Sequence, residues 1–207
     1  MTNKNVVNKR TESTSVYVNA LQEEYSKLCA VRVDLAYKKP YSDDITLDDA
    51  NKDINRMLNN RRSKPSVFKD NVGYIIKKEY TDAKGVHFHI YFFFDGNKVH
   101  KDIYKAEQVC NYWIEDITDG KGTSHNCNRN KYKDNGVGMI DHRDSKKREN
   151  LDKGIAYLCK DDEKQDIEPV KSNKNDRAFV RGTMPRKKKK NAGRPRKKQC
   201  RDKTRSS

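Results

Sequence analysis

Ten consecutive residues, Gly85-Val86-His87-Phe88-His89-Ile90-Tyr91-Phe92-Phe93-Phe94, constrain this chain more than any other stretch. They contain no proline, are rich in β-branched and aromatic residues, and sit between a glycine turn and Asp95-Gly96-Asn97, so they read as a buried strand. Side chains alternate across a strand, which places His87 and His89 on one face and Phe88, Ile90, Phe92 and Phe94 on the other. Two imidazoles two residues apart on a rigid strand form half of a divalent-metal site. The alternative is two polar residues on a solvated face.

The preceding run, Val72-Gly73-Tyr74-Ile75-Ile76-Lys77-Lys78-Glu79-Tyr80, is also extended, and a short polar loop ending in Gly85 joins the two as an antiparallel hairpin. Centring the hairpin on its loop sets Glu79 opposite His87 and Lys77 opposite His89. In that register Glu79, His87 and His89 converge on one face. Two imidazoles and a carboxylate suit Mg²⁺ or Mn²⁺ as well as Zn²⁺. Read alone, Glu79 is better taken as an exposed strand-end acid near Lys77 or Lys78.

The rest of the chain supplies the frame. Residues 1–12 are polar and read as frayed, and Ser13 can cap a helix with Val16, Ala20, Leu21, Tyr25 and Leu28 as its stripe. Period-two alternation over 30–37 predicts a strand with Val31, Val33, Leu35 and Tyr37 inward and Arg32 and Asp34 on the opposite side. Thr46, followed by Asp48 and Asp49, starts a helix whose buried stripe is Leu47, Ala50, Ile54, Met57 and Leu58. A helix is expected over 103–118, a functional or disordered loop over 119–135, a short strand over 136–143 and a helix over 151–160. The order predicts an α+β plait: a four- to five-stranded antiparallel sheet with two helices on one face, like a ferredoxin or RRM sheet, and the active site on its open face.

The net charge of +16 is uneven, with +12 of it in residues 181–207. The expected organisation is an N-terminal arm and helix (1–27), a domain (28–165) and an extended, largely disordered basic tail (166–207). Arg186, Lys187 and Lys188 belong to a polycationic run that favours phosphate backbones. Arg194 and Arg196 lie in Gly-Arg-Pro-Arg, which resembles an AT-hook core, although Ala192 stands where such hooks usually have another basic residue. Five scattered cysteines without a Cys-x-x-Cys pair argue against a disulfide framework or zinc ribbon. No signal peptide or membrane span is legible, and the scattered cysteines fit free thiols in a reducing cytosol, so a cytoplasmic chain is expected.

A second group of chemical interest is Tyr157-Leu158-Cys159-Lys160, in which Tyr157 and Lys160 share a helix face. A tyrosine hydroxyl is a weak nucleophile near neutral pH, its reference pKa being about 10. A neighbouring ammonium and a metal-polarised phosphate would both assist attack. Alternatively Tyr157 packs and Lys160 is a solvated helix end.

His-Phe-His on a strand followed by Tyr-x-x-Lys on a helix resembles the HUH endonucleases. The ordered series Arg32-Val33-Asp34-Leu35, Gly85-Val86-His87-Phe88-His89, Trp113, Gly136-Val137-Gly138, Tyr157-Leu158-Cys159-Lys160, Arg177-Ala178-Phe179-Val180-Arg181-Gly182 and Gly193-Arg194-Pro195-Arg196 resembles the inovirus-type replication initiators, including YagK/YfjJ-like prophage proteins. The resemblance implies His87 and His89 as the metal pair and Glu79 as third ligand. It implies Tyr157 as the nucleophile that leaves a 5′-phosphotyrosine and a free 3′-hydroxyl, with Lys160 positioning the phenolate or neutralising the phosphate. It implies single-stranded or melted origin DNA as substrate, with host helicase and polymerase as partners.

On this reading Arg32, Lys77 and Arg143 have the parity to meet phosphates, and Tyr91 either stacks bases or packs beneath the tyrosine-bearing helix. Tyr132 is a second tyrosine of interest in the loop. The other readings are a transposase- or relaxase-type enzyme of the same chemistry, and a non-catalytic DNA-binding regulator.

Overall fold

A computed structural model describes residues 3–160, 167, 170–171, 173 and 176–186. All strand pairs are antiparallel, and the sheet runs β4-β1-β3-β2-β6 with β5 also on β1. The long strands are β1 (Lys27–Tyr37), β2 (Asn71–Thr81) and β3 (Gly85–Asp95). One edge of β1 is shared in succession by β5 (Gly138–Asp141) and β4 (Gly122–Asn126), while β6 (Phe179–Arg181) closes the far edge on β2. The α+β antiparallel sheet expected from the sequence is present, with six strands among the described residues.

One face follows from the alternation in β1 and β3. Val31, Val33, Leu35 and Tyr37 meet Phe88, Ile90, Phe92 and Phe94 in a core closed by α2 (Leu47–Asn59), the single turn α3 (Pro65–Phe68) and α4 (Asp102–Tyr112). Thr46 caps α2 by accepting from the Asp49 N–H at 3.2 Å, and Asp48 and Asp49 sit in the first turn where the helix dipole favours them. Past α4 the chain widens into a π-turn, Trp113–Ile117, that buries Trp113 edge-on to Tyr37 and Phe88. The Trp113 indole N–H donates to the Ala36 carbonyl at 3.0 Å.

The other face carries more than expected. Helix α1 (Asn3–Glu24) begins ten residues before Ser13, and its inward stripe is Thr14, Tyr17, Val18 and Leu21; Val16 is exposed and Leu28 belongs to β1. With α5 (Ser145–Cys159) it covers Leu28, Ala30, Ile75, Tyr91 and Phe93. The face anticipated as open is therefore roofed along much of its length. Helix α5 can lie this close because Gly154 has no side chain: a Cβ there would come within 2.6 Å of the Tyr91 hydroxyl.

Two further elements differ from expectation. The 119–135 stretch holds β4 and a 3₁₀ turn, Cys127–Arg129. Beyond residue 165, Ile167 is fully buried in the first core and β6 extends the sheet. Cys29, Cys110, Cys127 and Cys159 are buried free thiols. No helix among the described residues is long and apolar enough to cross a membrane.

Candidate metal centre

The β2–β3 hairpin has the register read from its loop, Glu79 opposite His87 and Lys77 opposite His89. Gly85 makes the turn with a positive φ of 66°, where a side chain would be strained. Glu79 Oε2 lies 3.0 Å from His89 Nε2 and 3.4 Å from His87 Nε2. One ligand atom from each of the three residues falls within 4.8 Å of the others. Glu79 and His87 are buried and His89 is the most accessible of the three, so the group is recessed rather than spread on an open surface.

The outer nitrogens are held by acceptors. His87 Nδ1 donates to the Gly85 carbonyl at 3.0 Å, and a carbonyl can only accept. His89 Nδ1 meets Asp34 Oδ1 at 2.7 Å. Both Nε2 atoms thus point inward, oriented by the outer hydrogen bonds that metal-ligating histidines characteristically make. His87 Nε2 and His89 Nε2 both face Glu79 Oε2, and a divalent cation among them would replace the protons these nitrogens otherwise share with the carboxylate. The donor set fits a divalent ion.

Electrostatics follow from this packing. Burial raises the Glu79 carboxyl's affinity for a proton, but hydrogen bonds from His87, His89 and Lys77 outweigh it and hold the group well below the usual carboxylate range. Burial would lower His89, yet its hydrogen bonds to Asp34 and Glu79 push it up to about 9. Asp34 is lowered: burial opposes ionisation, and the His89 hydrogen bond and charge overcome it.

A sign for stability follows. His89, raised from 6.5 to about 9, stabilises the metal-free fold fully below pH 6.5, and that contribution disappears as pH rises through 9. Glu79, depressed from 4.5, contributes above its unfolded value and loses that contribution as pH falls. The thermal midpoint in chelator should peak between about pH 5 and 6.5. His89→Gln should flatten the alkaline limb; an unchanged limb would show that another group controls it.

Lys77 is not available to DNA. The residue is 6% exposed, and its ammonium donates to Glu79 Oε1 at 2.6 Å and to the Lys160 carbonyl at the end of α5. It is a strut between the triad and the helix that carries Tyr157. Removing one member of a buried pair leaves the other charge uncompensated, so Lys77→Met should destabilise the metal-free protein by about 3 kcal/mol. Added Mn²⁺ should restore part of that loss, as read by denaturant titration, and equal stability of the two proteins would remove Lys77 from this role.

Tyr157 is 67% exposed on α5. Lys160 caps the helix, its N–H bonded to the Tyr157 carbonyl and its ammonium 6.0 Å from the Tyr157 ring centroid. Tyr91 is 2% exposed, stacked on Phe93 at 6.1 Å and covered by Gly154; of its two readings, packing beneath the helix holds and base stacking does not. Arg143 is paired with Asp141 at 2.9 Å. Asp141 pairs with Lys27 of β1, seven residues from Asp34, so Arg143 stands roughly 23 Å along the strand from the triad and does not join it. Arg32 lies two residues from Asp34 on the same face, its guanidinium 5.8 Å from the Tyr91 ring centroid. Arg186 is exposed, whereas Lys187, Lys188, Arg194 and Arg196 lie outside the described residues.

Sequence reasoning set Asp34 on the correct face but gave it no role. Its function as the His89 partner depends on the β1–β3 register, Asp34 opposite His89, which no short loop fixes.

Fold and site together define an α+β protein with a two-histidine, one-carboxylate centre on an antiparallel sheet. The chain belongs to the YagK/YfjJ C-terminal domain family, a prophage-associated family whose model matches residues 1–174. No curated protein and no solved structure matches it.

Proposed function

We propose that the protein is a single-strand DNA nickase and ligase of the HUH type that uses a divalent ion and Tyr157 to start rolling-circle replication. The observation that carries this reading is the convergence of Glu79, His87 and His89 on one strand pair, tied through Lys77 to the end of the helix that exposes Tyr157. The resemblance to inovirus-type initiators gives the same residues these roles.

Glu79, His87 and His89 would hold the ion, and Asp34 and the Gly85 carbonyl orient the two imidazoles. A bound divalent ion supplies charge neutralisation at the non-bridging phosphate oxygens. Tyr157 Oη loses its proton to solvent and forms a bond to phosphorus as the bond to the 3′ oxygen breaks, and that oxygen takes a proton from solvent to become the free 3′-hydroxyl. The products are a 5′-phosphotyrosine and a free 3′ end, which a host polymerase extends after a helicase opens the duplex. Attack by a 3′-hydroxyl on the phosphotyrosine reverses the step and seals a strand. Lys160, next to Tyr157, offsets negative charge on the attacked phosphate.

The test is incubation with a pool of single-stranded origin-region oligonucleotides and Mn²⁺, followed by a denaturing gel. A covalent protein–DNA band is expected. Its absence for every candidate origin, with DNA binding retained, would leave a DNA-binding regulator as the better description.

A further inference from the structure

Beside Tyr157 the fold forms a half-open pocket of about 200 Å³ whose walls include Arg32, Tyr132, Asp134, Lys153 and Gly154. Its chemistry is distinct from that of the triad. Arg32 projects from β1 and its buried Nε has no hydrogen-bond partner among the described residues, the nearest carboxylate oxygen being that of Asp34 at 3.9 Å. An unsatisfied buried guanidinium donor is costly unless something supplies an acceptor. Lys153, from α5, holds Asp134 at 3.1 Å, with both side chains nearly half exposed. Such a pair contributes little and exchanges readily for a better anion. The volume is below the roughly 300–1,000 Å³ of pockets that engulf a whole small molecule, which suits one group of a larger ligand.

We propose that this cavity is a subsite for a phosphodiester of single-stranded nucleic acid, flanking the one that Tyr157 attacks. Arg32 and Lys153 supply the cationic donors, and Asp134 occupies the site as a resident carboxylate that the phosphate displaces. Arg32 and Asp34 are two residues apart on one face of β1, so the subsite lies about 7 Å along the strand from the residue that supports His89. Phosphate in the cavity would hold the strand across α5 with Tyr157 next to it. The inference rests on the nickase reading for its ligand class, but its binding step needs neither the metal nor the tyrosine hydroxyl.

The test is fluorescence anisotropy of a labelled thymidine trinucleotide with the full-length chain in chelator at about 0.15 M salt, where surface charges are substantially screened. Arg32→Gln and Lys153→Gln should each weaken binding by on the order of tenfold, the loss expected for one charge-assisted contact. Asp134→Asn should tighten it by about threefold through removal of the competing anion. Lys153→Gln should keep the rise in thermal midpoint on adding Mn²⁺, showing that the metal centre is intact. Absence of trinucleotide binding by the wild type, unaltered binding by Lys153→Gln, or weaker binding by Asp134→Asn would each overturn the subsite. Lys153 and Asp134 are partly exposed, so these two arms stand even where Arg32→Gln fails to fold. Variant-sensitive binding without any covalent adduct would keep the subsite and remove the nickase; an adduct with variant-insensitive binding would do the reverse.

Discussion

Tyr157→Phe should abolish the covalent protein–DNA adduct while leaving oligonucleotide affinity within about twofold of wild type. Loss of the nucleophile in enzymes that form covalent intermediates costs on the order of 10⁴- to 10⁶-fold, because no neighbouring group repeats its geometry. Tyr157 is well placed for a clean result. It is 67% exposed and belongs to neither core, so removal of one oxygen leaves packing intact. An adduct that persists in Tyr157→Phe would reassign the nucleophile, and Tyr132, which shares the cavity beside it, would be the next tyrosine to replace.

The second large effect concerns the triad. Mn²⁺ at about a hundred times its dissociation constant should stabilise the wild type by about 2.7 kcal/mol. For a chain of this length that corresponds to a rise of roughly 5–10 °C in thermal midpoint. His87→Ala combined with His89→Ala leaves Glu79 as the sole member of the cluster and should reduce the rise to zero. Asp34→Asn keeps all three ligands but weakens the acceptor behind His89, and should cost about 10- to 100-fold in ion affinity. A full Mn²⁺ response in the double variant would move the ion elsewhere. Ion and proton compete for His89 Nε2, so the stabilisation should also grow with pH up to about 9.

The hairpin was legible because two independent signals agreed. Alternation in 85–94 fixed the parity of His87 and His89, and the short polar loop fixed the register of Glu79 and Lys77. Thr46 with Asp48 and Asp49 marked the start of α2 for an equally local reason. What escaped was set by distant pairing. Gly122-Thr-Ser-His-Asn126 has no apolar alternation and becomes β4 because β1 offers it an edge. Phe179-Val-Arg181 is too short to signal a strand and becomes β6 by pairing with Ile75–Lys77. The first turns of α1 are polar, and the helix depends on Tyr17, Val18 and Leu21 further along for its burial. Tyr91 could be assigned a face but not a cover, since only tertiary packing brings α5 across it.

The three residues of β6 determine where the basic C-terminal segment starts. Phe179 is opposite Lys77, and the chain is pinned by Lys78 N–H to the Ala178 carbonyl at 2.7 Å and Gly182 N–H to the Tyr74 carbonyl at 2.9 Å. Arg181 adds a hydrogen bond to Ser13 and lies over the Tyr17 ring. The described chain that precedes residues 187–207 is therefore anchored on β2, the strand that carries Glu79. Linked binders act through effective concentration: a strand captured by one is delivered to the other as an intramolecular event. In the proposed function the polycation needs no sequence preference of its own, because attachment to an anchored strand turns indiscriminate phosphate affinity into a raised local concentration of DNA at the domain.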